Sequence, residues 1–203
     1  MKILVLFYST WGHMYRMAKA AAEGAAAVDG AEVRLMRIPE TLSREVLDKI
    51  GAVEAQKTFA DVPVAAPADL EGIDGLIVGV STRYGMMTAQ MKTFLDATGF
   101  IWVKNGLMDK PIAVVSSTAQ QHGGNEVSIL TTYAAFMHHG MIPVGLPYAF
   151  PGQTGHDQVR GGSPYGASTI AGGQGDRWPS EDELAGARYQ GRRLAVIAKK
   201  LAS

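Results

Sequence analysis

Three short segments hold the residues best suited to chemistry in this chain. Ser9-Thr10-Trp11-Gly12-His13-Met14 follows the apolar run Ile3–Tyr8, and Ser81-Thr82-Arg83-Tyr84-Gly85-Met86-Met87 follows Leu76–Val80. The third, Ser116-Ser117-Thr118-Ala119-Gln120-Gln121-His122-Gly123-Gly124, follows Ile112–Val115. In the first, Ser9 and Thr10 supply hydroxyls and Gly12 permits close backbone approach. A helix opening near His13 would add unpaired N–H groups and a positive dipole end, which together form a phosphate site that needs no Lys. An ordinary strand–helix turn uses the same residue types. The second segment sets a hydroxyl (Thr82), a charge (Arg83) and an aromatic ring (Tyr84) beside a flexible Gly85. Such a loop suits the edge of a flat ring, or a plain surface position. Ser117 to Gly124 could wrap the opposite edge with backbone groups, or be a mobile turn.

Other familiar chemistries are missing. There is no G-x-x-x-x-G-K-[ST], no G-x-G-x-x-G after the first apolar run and no G-x-S-x-G elbow. The absence of Cys removes disulfides, thiolate catalysis and cysteine-held metals. The histidines show no convincing metal spacing; His138-His139 stands at a predicted helix C-terminus, where a cation suits the dipole. Trp11 and Trp102, in or beside loops, could wall a site for a planar substrate.

The elements that must position these loops alternate along the chain. Lys2–Tyr8 reads as a buried strand, and Gly12–Val28 as a helix with Met14, Met17, Ala18, Ala21 and Ala25 on one face. Strands at Ala31–Arg37, Asp74–Val80, Pro111–Ser116 and Met141–Leu146 alternate with helices at Glu40–Ile50, Thr88–Thr98 and Asn125–His138. Residues Gly51–Pro67 read as irregular. Ser180–Leu201 reads as the last helix, opened by a Ser180…Glu183 capping box. This alternation predicts one α/β domain over residues 1–203, a three-layer sandwich with a five-stranded parallel sheet. The expected strand order is 2-1-3-4-5, whose switch point lies between the strands carrying the first two loops.

Composition bounds the rest. Lys plus Arg and Asp plus Glu are 19 each, so nothing argues for a nucleic-acid footprint. No run reaches the ~18 apolar residues of a membrane span. The N-terminus enters a strand after one Lys without a small-residue cleavage site, and the expectation is a soluble, cytoplasmic protein. Gly is enriched, 24 of 203 residues, and eight of these fall between Gly152 and Gly175. A loop this long is uncommon in a compact domain unless it is functional or disordered.

Ser9-Thr10-Trp11-Gly12-His13, Ser81-Thr82-Arg83-Tyr84-Gly85, His138-His139-Gly140-Met141 and the run Val159 to Gly172 together resemble the WrbA family, across essentially the whole chain. The resemblance implies a flavodoxin-like NAD(P)H:quinone oxidoreductase that binds FMN, takes NADH or NADPH as donor and forms a homotetramer. It places Ser9, Thr10, Trp11, Gly12, His13 and Met14 at the FMN phosphate. It sets Thr82, Arg83 and Tyr84 beside the isoalloxazine ring, with Ser117, Thr118, Ala119, Gln120, Gln121, His122 and Gly123 on its other side. His138 would reach the flavin site from a neighbouring subunit, and Trp102 would line the nicotinamide and quinone site. Trp11 stands where the family has Tyr, a position associated with the dinucleotide, so stacking survives and the phenol hydrogen bond does not. No catalytic acid, base or metal is implied. A one-electron flavodoxin-type carrier fits the neutral charge poorly, since such carriers use acidic faces for steering. A non-enzymatic, partner-binding module is the other alternative.

Overall fold

The computed structural model describes residues 1–202. A parallel sheet carries β1 (Lys2–Phe7), β2 (Glu32–Arg37), β3 (Gly75–Ser81), β4 (Pro111–Thr118), β5 (Ile142–Pro143) and β6 (Ser168–Ile170), in the order β2-β1-β3-β4-β5 with β6 also on β4. The helices are α1 (His13–Ala26), α2 (Arg44–Lys49), α3 (Ala52–Lys57), α4 (Ala89–Asp96), α5 (Gly99–Val103), α6 (Asn125–Met137) and α7 (Glu181–Leu201).

Central strands buried on both faces must be apolar throughout, and in β1 successive side chains feed two separate cores. Ile3, Val5 and Phe7 pack with Met14, Met17, Ala21 and Leu194 of α1 and α7. Leu4, Leu6 and Tyr8 pack with Met91, Phe94, Ile129 and Phe136 of α4 and α6. Helices α1 and α7 touch backbone to backbone: a Cβ on Gly191 would lie 2.0 Å from the Ala21 carbonyl oxygen, and one on Gly24 would lie 1.9 Å from that of Arg188. Only glycine permits this approach.

Three expectations change. The helix expected over Glu40–Ile50 is shorter, because the Glu40 carboxylate takes the N–H groups of Thr41 and Leu42 and Ser43 then caps α2 through Val46. The stretch Gly51–Pro67, expected to be irregular, contains α3. The strand expected over Met141–Leu146 is only Ile142–Pro143, so the sheet has six strands rather than five. Chain beyond Pro143 leaves the sheet and returns as β6, which pairs Ser168, Thr169 and Ile170 with Ser116, Ser117 and Thr118. β5 and β6 therefore share one edge of β4, split by the Gly-rich segment.

Candidate cofactor site

All three loops converge beyond the carboxyl ends of β1, β3 and β4, around a cavity of about 680 Å³. Its lining includes Ser9, Thr10, Trp11, Gly12, His13 and Met14 of the first loop, Thr82 and Arg83 of the second, and Ser117, Thr118 and Ala119 of the third. Gly12, at φ +92°, turns the chain into α1. Ser9 Oγ accepts its N–H at 3.0 Å, whereas among the described residues no protein acceptor takes the N–H of Thr10, Trp11, His13 or Met14. Four free donors at a helix N-terminus, with no Asp or Glu on the cavity wall, fit a phosphate monoester. Met14 contributes its backbone alone, since its side chain is core.

Arg83 joins two of the loops, donating to the Thr82 carbonyl at 2.9 Å and to Thr10 Oγ1 at 3.2 Å. The reversal beyond it is tight: Arg83 and Met86 exchange both backbone hydrogen bonds, and Tyr84 (φ +53°) and Gly85 (φ +75°) are both left-handed. Positive φ at both central positions is the geometry of a type I′ turn. It leaves Tyr84 fully exposed at the tip, outside the cavity lining. Behind the loops a polar network fixes their spacing. Ser128 Oγ donates to Thr82 Oγ1 at 3.0 Å, Thr131 Oγ1 to the Gly85 carbonyl, and Asn125 bridges Ser116, Thr118 and the Thr169 carbonyl.

Glu40 anchors the other flank. Its carboxylate accepts from the Tyr8 hydroxyl and Gln56 (2.9 Å each), from Gln90 (3.1 Å) and from two backbone N–H groups. Burial alone would raise this carboxyl, but the donors more than offset it and hold it below the usual range. Burial and the same carboxylate push the Tyr8 phenol up. Tyr8 immediately precedes the first loop, so the node sets where that loop leaves the sheet.

A fourth wall comes from Ala171–Gly175 and Trp178, beyond β6. The His13 ring pairs with the Gly175 carbonyl at 3.1 Å and stacks on Trp178, with centroids 4.5 Å apart. Burial holds His13 below its ordinary value, and nearby Arg16 adds to this against the Gly175 bond. Arg177 ties the wall down, donating to Ile170 O, Val159 O and the wholly buried Glu183 carboxylate. Glu183 also completes the expected capping box with Ser180 and accepts from Gly161 N and Thr169 Oγ1.

Gln120, Gln121, His122 and Gly123 lie beyond the cavity lining, as do His138 and Trp102. The last two meet each other, Trp102 Nε1 donating to the His138 carbonyl at 2.8 Å. Trp102 lies on α5 rather than in a loop, yet is largely exposed. Of the Gly-rich segment, expected to be functional or disordered, Ala171–Gly175 lines the cavity; sequence reasoning missed Tyr15, Arg16, Ala55, Thr58 and Trp178. Arg16 sits on the polar face of a helix, and Trp178 is brought in only by the pairing of β6.

A family model described as NADPH-dependent FMN reductase matches residues 1–155. A protein of Geobacter metallireducens named NAD(P)H dehydrogenase (quinone) is 59% identical over 99% of both chains, and one of the same name from Geobacter sulfurreducens is 58% identical with the same coverage. Among solved structures, a WrbA-like flavodoxin protein from Agrobacterium tumefaciens superposes with TM-score 0.68 at 23% identity, covering 98% of each chain. An archaeal flavodoxin gives 0.62 at 20% identity, over 98% of this chain and 99% of that one. The flavodoxin-like fold is thus shared widely, and the family model and the full-length identity near 60% narrow it: the chain belongs to the NADPH-dependent FMN reductase family.

Proposed function

We propose that this protein is an FMN-dependent NAD(P)H:quinone oxidoreductase that reduces quinones to hydroquinones by a two-electron, ping-pong route. The observation that carries this is one cavity in which four free N–H groups of the first loop meet the hydroxyls of Ser81, Thr82, Ser117 and Thr118 at the ends of β3 and β4. Full-length relatives bearing the name NAD(P)H dehydrogenase (quinone) support the reaction. When bound, FMN supplies hydride acceptance and two-electron delivery, and the protein supplies binding and orientation.

In this reading the first loop holds the phosphate, Thr82 and Arg83 hold one ring edge, and Ser117 to Ala119 hold the other. Tyr84, the Gln120 to Gly123 turn, Trp102 and His138 complete the site across a subunit boundary. That assignment gives a role to side chains that a single chain leaves outside the cavity. Exposed Trp102, Val103, Met108 and Met137 support burial in an assembly, which we take to be a homotetramer. No side chain serves as an essential acid or base, since solvent can protonate the quinol. We read residues 1–203 as one domain around a single sheet, acting in the cytoplasm without nucleic-acid or membrane partners. Two-electron delivery avoids radical products, which suits protection against oxidative stress.

The test is anaerobic mixing of the FMN-reconstituted protein with NADH or NADPH while flavin absorbance is followed. Rapid bleaching, reversed by benzoquinone with no radical signal, is expected. Bound FMN that neither donor bleaches would refute the reading in favour of a one-electron carrier.

A further inference from the structure

The outer rim of the cavity has features that holding FMN does not use. The Trp11 ring, as distinct from its backbone N–H, lines it with Arg16 and Trp178, and both indoles are 43% exposed. Each adjoins Gly12: Trp11 precedes it in the chain, and ring carbons of Trp178 lie 3.5 Å from where a Gly12 Cβ would be. Both rings are held in place. Trp11 Nε1 donates to the Ile50 carbonyl at 3.2 Å, and Trp178 lies within 17° of parallel to His13.

The Arg16 guanidinium carbon stands 3.9 Å from the centroid of the Trp178 ring. Among the described residues its side chain has no ion-pair or hydrogen-bond partner, whereas the cavity's other guanidinium, on Arg83, is engaged by Thr82 and Thr10. Among the described residues no carboxylate lines the cavity to neutralise either. A guanidinium laid on an aromatic face is pre-organised and keeps its in-plane donors for an anion. The free N–H groups of the first loop already serve one phosphate, so Arg16 stands ready for another.

We infer that Trp11, Arg16 and Trp178 form a subsite for the adenosine 2′-phosphate end of NADPH, with Arg16 selecting that donor over NADH. The inference rests on the proposed use of a nicotinamide donor. A flat adenine matches an exposed indole face, and the phosphate beside it on the ribose matches a stacked guanidinium. Trp11 and Trp178 serve either donor; Arg16 has a partner only in NADPH.

The experiment compares the FMN-loaded full-length protein with Arg16→Gln, Arg16→Lys and Trp178→Ala. Calorimetry measures binding of adenosine 2′,5′-bisphosphate against adenosine 5′-monophosphate, without turnover. Steady-state rates with benzoquinone give kcat/KM for NADPH relative to NADH. The wild type is expected to bind the bisphosphate at least about tenfold more tightly, the worth of one charged hydrogen bond. Arg16→Gln should close that gap and lower the donor ratio by the same factor, with Arg16→Lys between. Trp178→Ala should weaken both ligands. Equal wild-type affinities, an undiminished gap in Arg16→Gln, or a loss confined to FMN affinity would each overturn the inference, the last by assigning Arg16 to the flavin phosphate. Binding that depends on Arg16, with neither donor oxidised, would uphold the subsite and overturn the oxidoreductase reading instead.

Discussion

Replacing Arg177 by Met should loosen the fourth wall of the cavity without touching any of the three loops beyond β1, β3 and β4. The Glu183 carboxylate is wholly buried, and Arg177 approaches it at 3.0 Å. Removing one partner of a buried ion pair costs about 3–5 kcal/mol because the remaining charge is stranded. Here Glu183 keeps Ser180 N (2.8 Å), Thr169 Oγ1 (2.9 Å) and Gly161 N (2.8 Å), and Arg177 is itself part-exposed. Those three donors place the loss at the lower end, about 3 kcal/mol. In a protein of this size each kcal/mol moves Tm by about 2–4 °C, so the variant should melt about 6–12 °C lower. Circular dichroism melts of the apo protein measure this. FMN titration of the same samples should show weaker binding, because the Ile170 and Val159 carbonyls lose their donor and Ala171–Gly175 loses its anchor. An apo Tm within about 2 °C of the parent would show that the remaining donors suffice, and would refute the claim that the ion pair holds the wall.

Gly191→Ala should destabilise by at least about 2 kcal/mol in urea unfolding, since its Cβ would stand 2.0 Å from the Ala21 carbonyl oxygen and drive α1 and α7 apart. Tyr133→Phe should cost about 1–3 kcal/mol, because the buried hydroxyl serves Val114 N and the Val144 and Tyr165 carbonyls; a melt unchanged from the parent would show that neighbours take over its partners. Stability should fall as pH drops. Burial holds His13, and likewise His139 beside His138, below the ordinary 6.5, so below that value the unfolded chain binds more protons than the native one. The stability lost lies between the lowered native values and 6.5, at no more than about 1.4 kcal/mol per pH unit for each histidine. Glu40, also lowered, adds a loss of the same sign at more acid pH. Urea midpoints across this range, with His13→Asn giving a shallower slope, check the assignment.

Strands β1, β3 and β4 were legible because a strand buried on both faces shows as an unbroken apolar run, and the alternation of runs with helical spacings led directly to the 2-1-3-4-5 order. The Ser180 and Glu183 box was equally direct, being a local pattern. Residues 141–146 misled: the run is apolar, but Pro143 lacks an N–H, and Gly145 leaves the sheet to pack where a Cβ would lie 2.2 Å from the Pro164 carbonyl oxygen. Ser168-Thr169-Ile170 carries no strand signal of its own and becomes one only through β4. The same non-local pairing hid Trp178, 165 residues from the His13 ring it stacks on. Tyr84 and Trp102 were named for their aromatic rings as well as through family resemblance, and His138 through resemblance alone; a single chain leaves all three outside the cavity.

The split edge of β4 also sets the order in which the molecule is finished. Three cavity loops belong to the first 124 residues, but the fourth wall depends on β6, and the side of α1 that carries Ala21 and Gly24 stays uncovered until α7 packs on it. During synthesis from the N-terminus, about two-fifths of the chain has yet to emerge when these three loops are already made. Closing β6 onto β4 spans some fifty residues, a long-range contact of the kind that forms slowly. Cofactor capture is therefore a late event in the life of the polypeptide, and recovery of bound flavin should track the slowest phase of refolding.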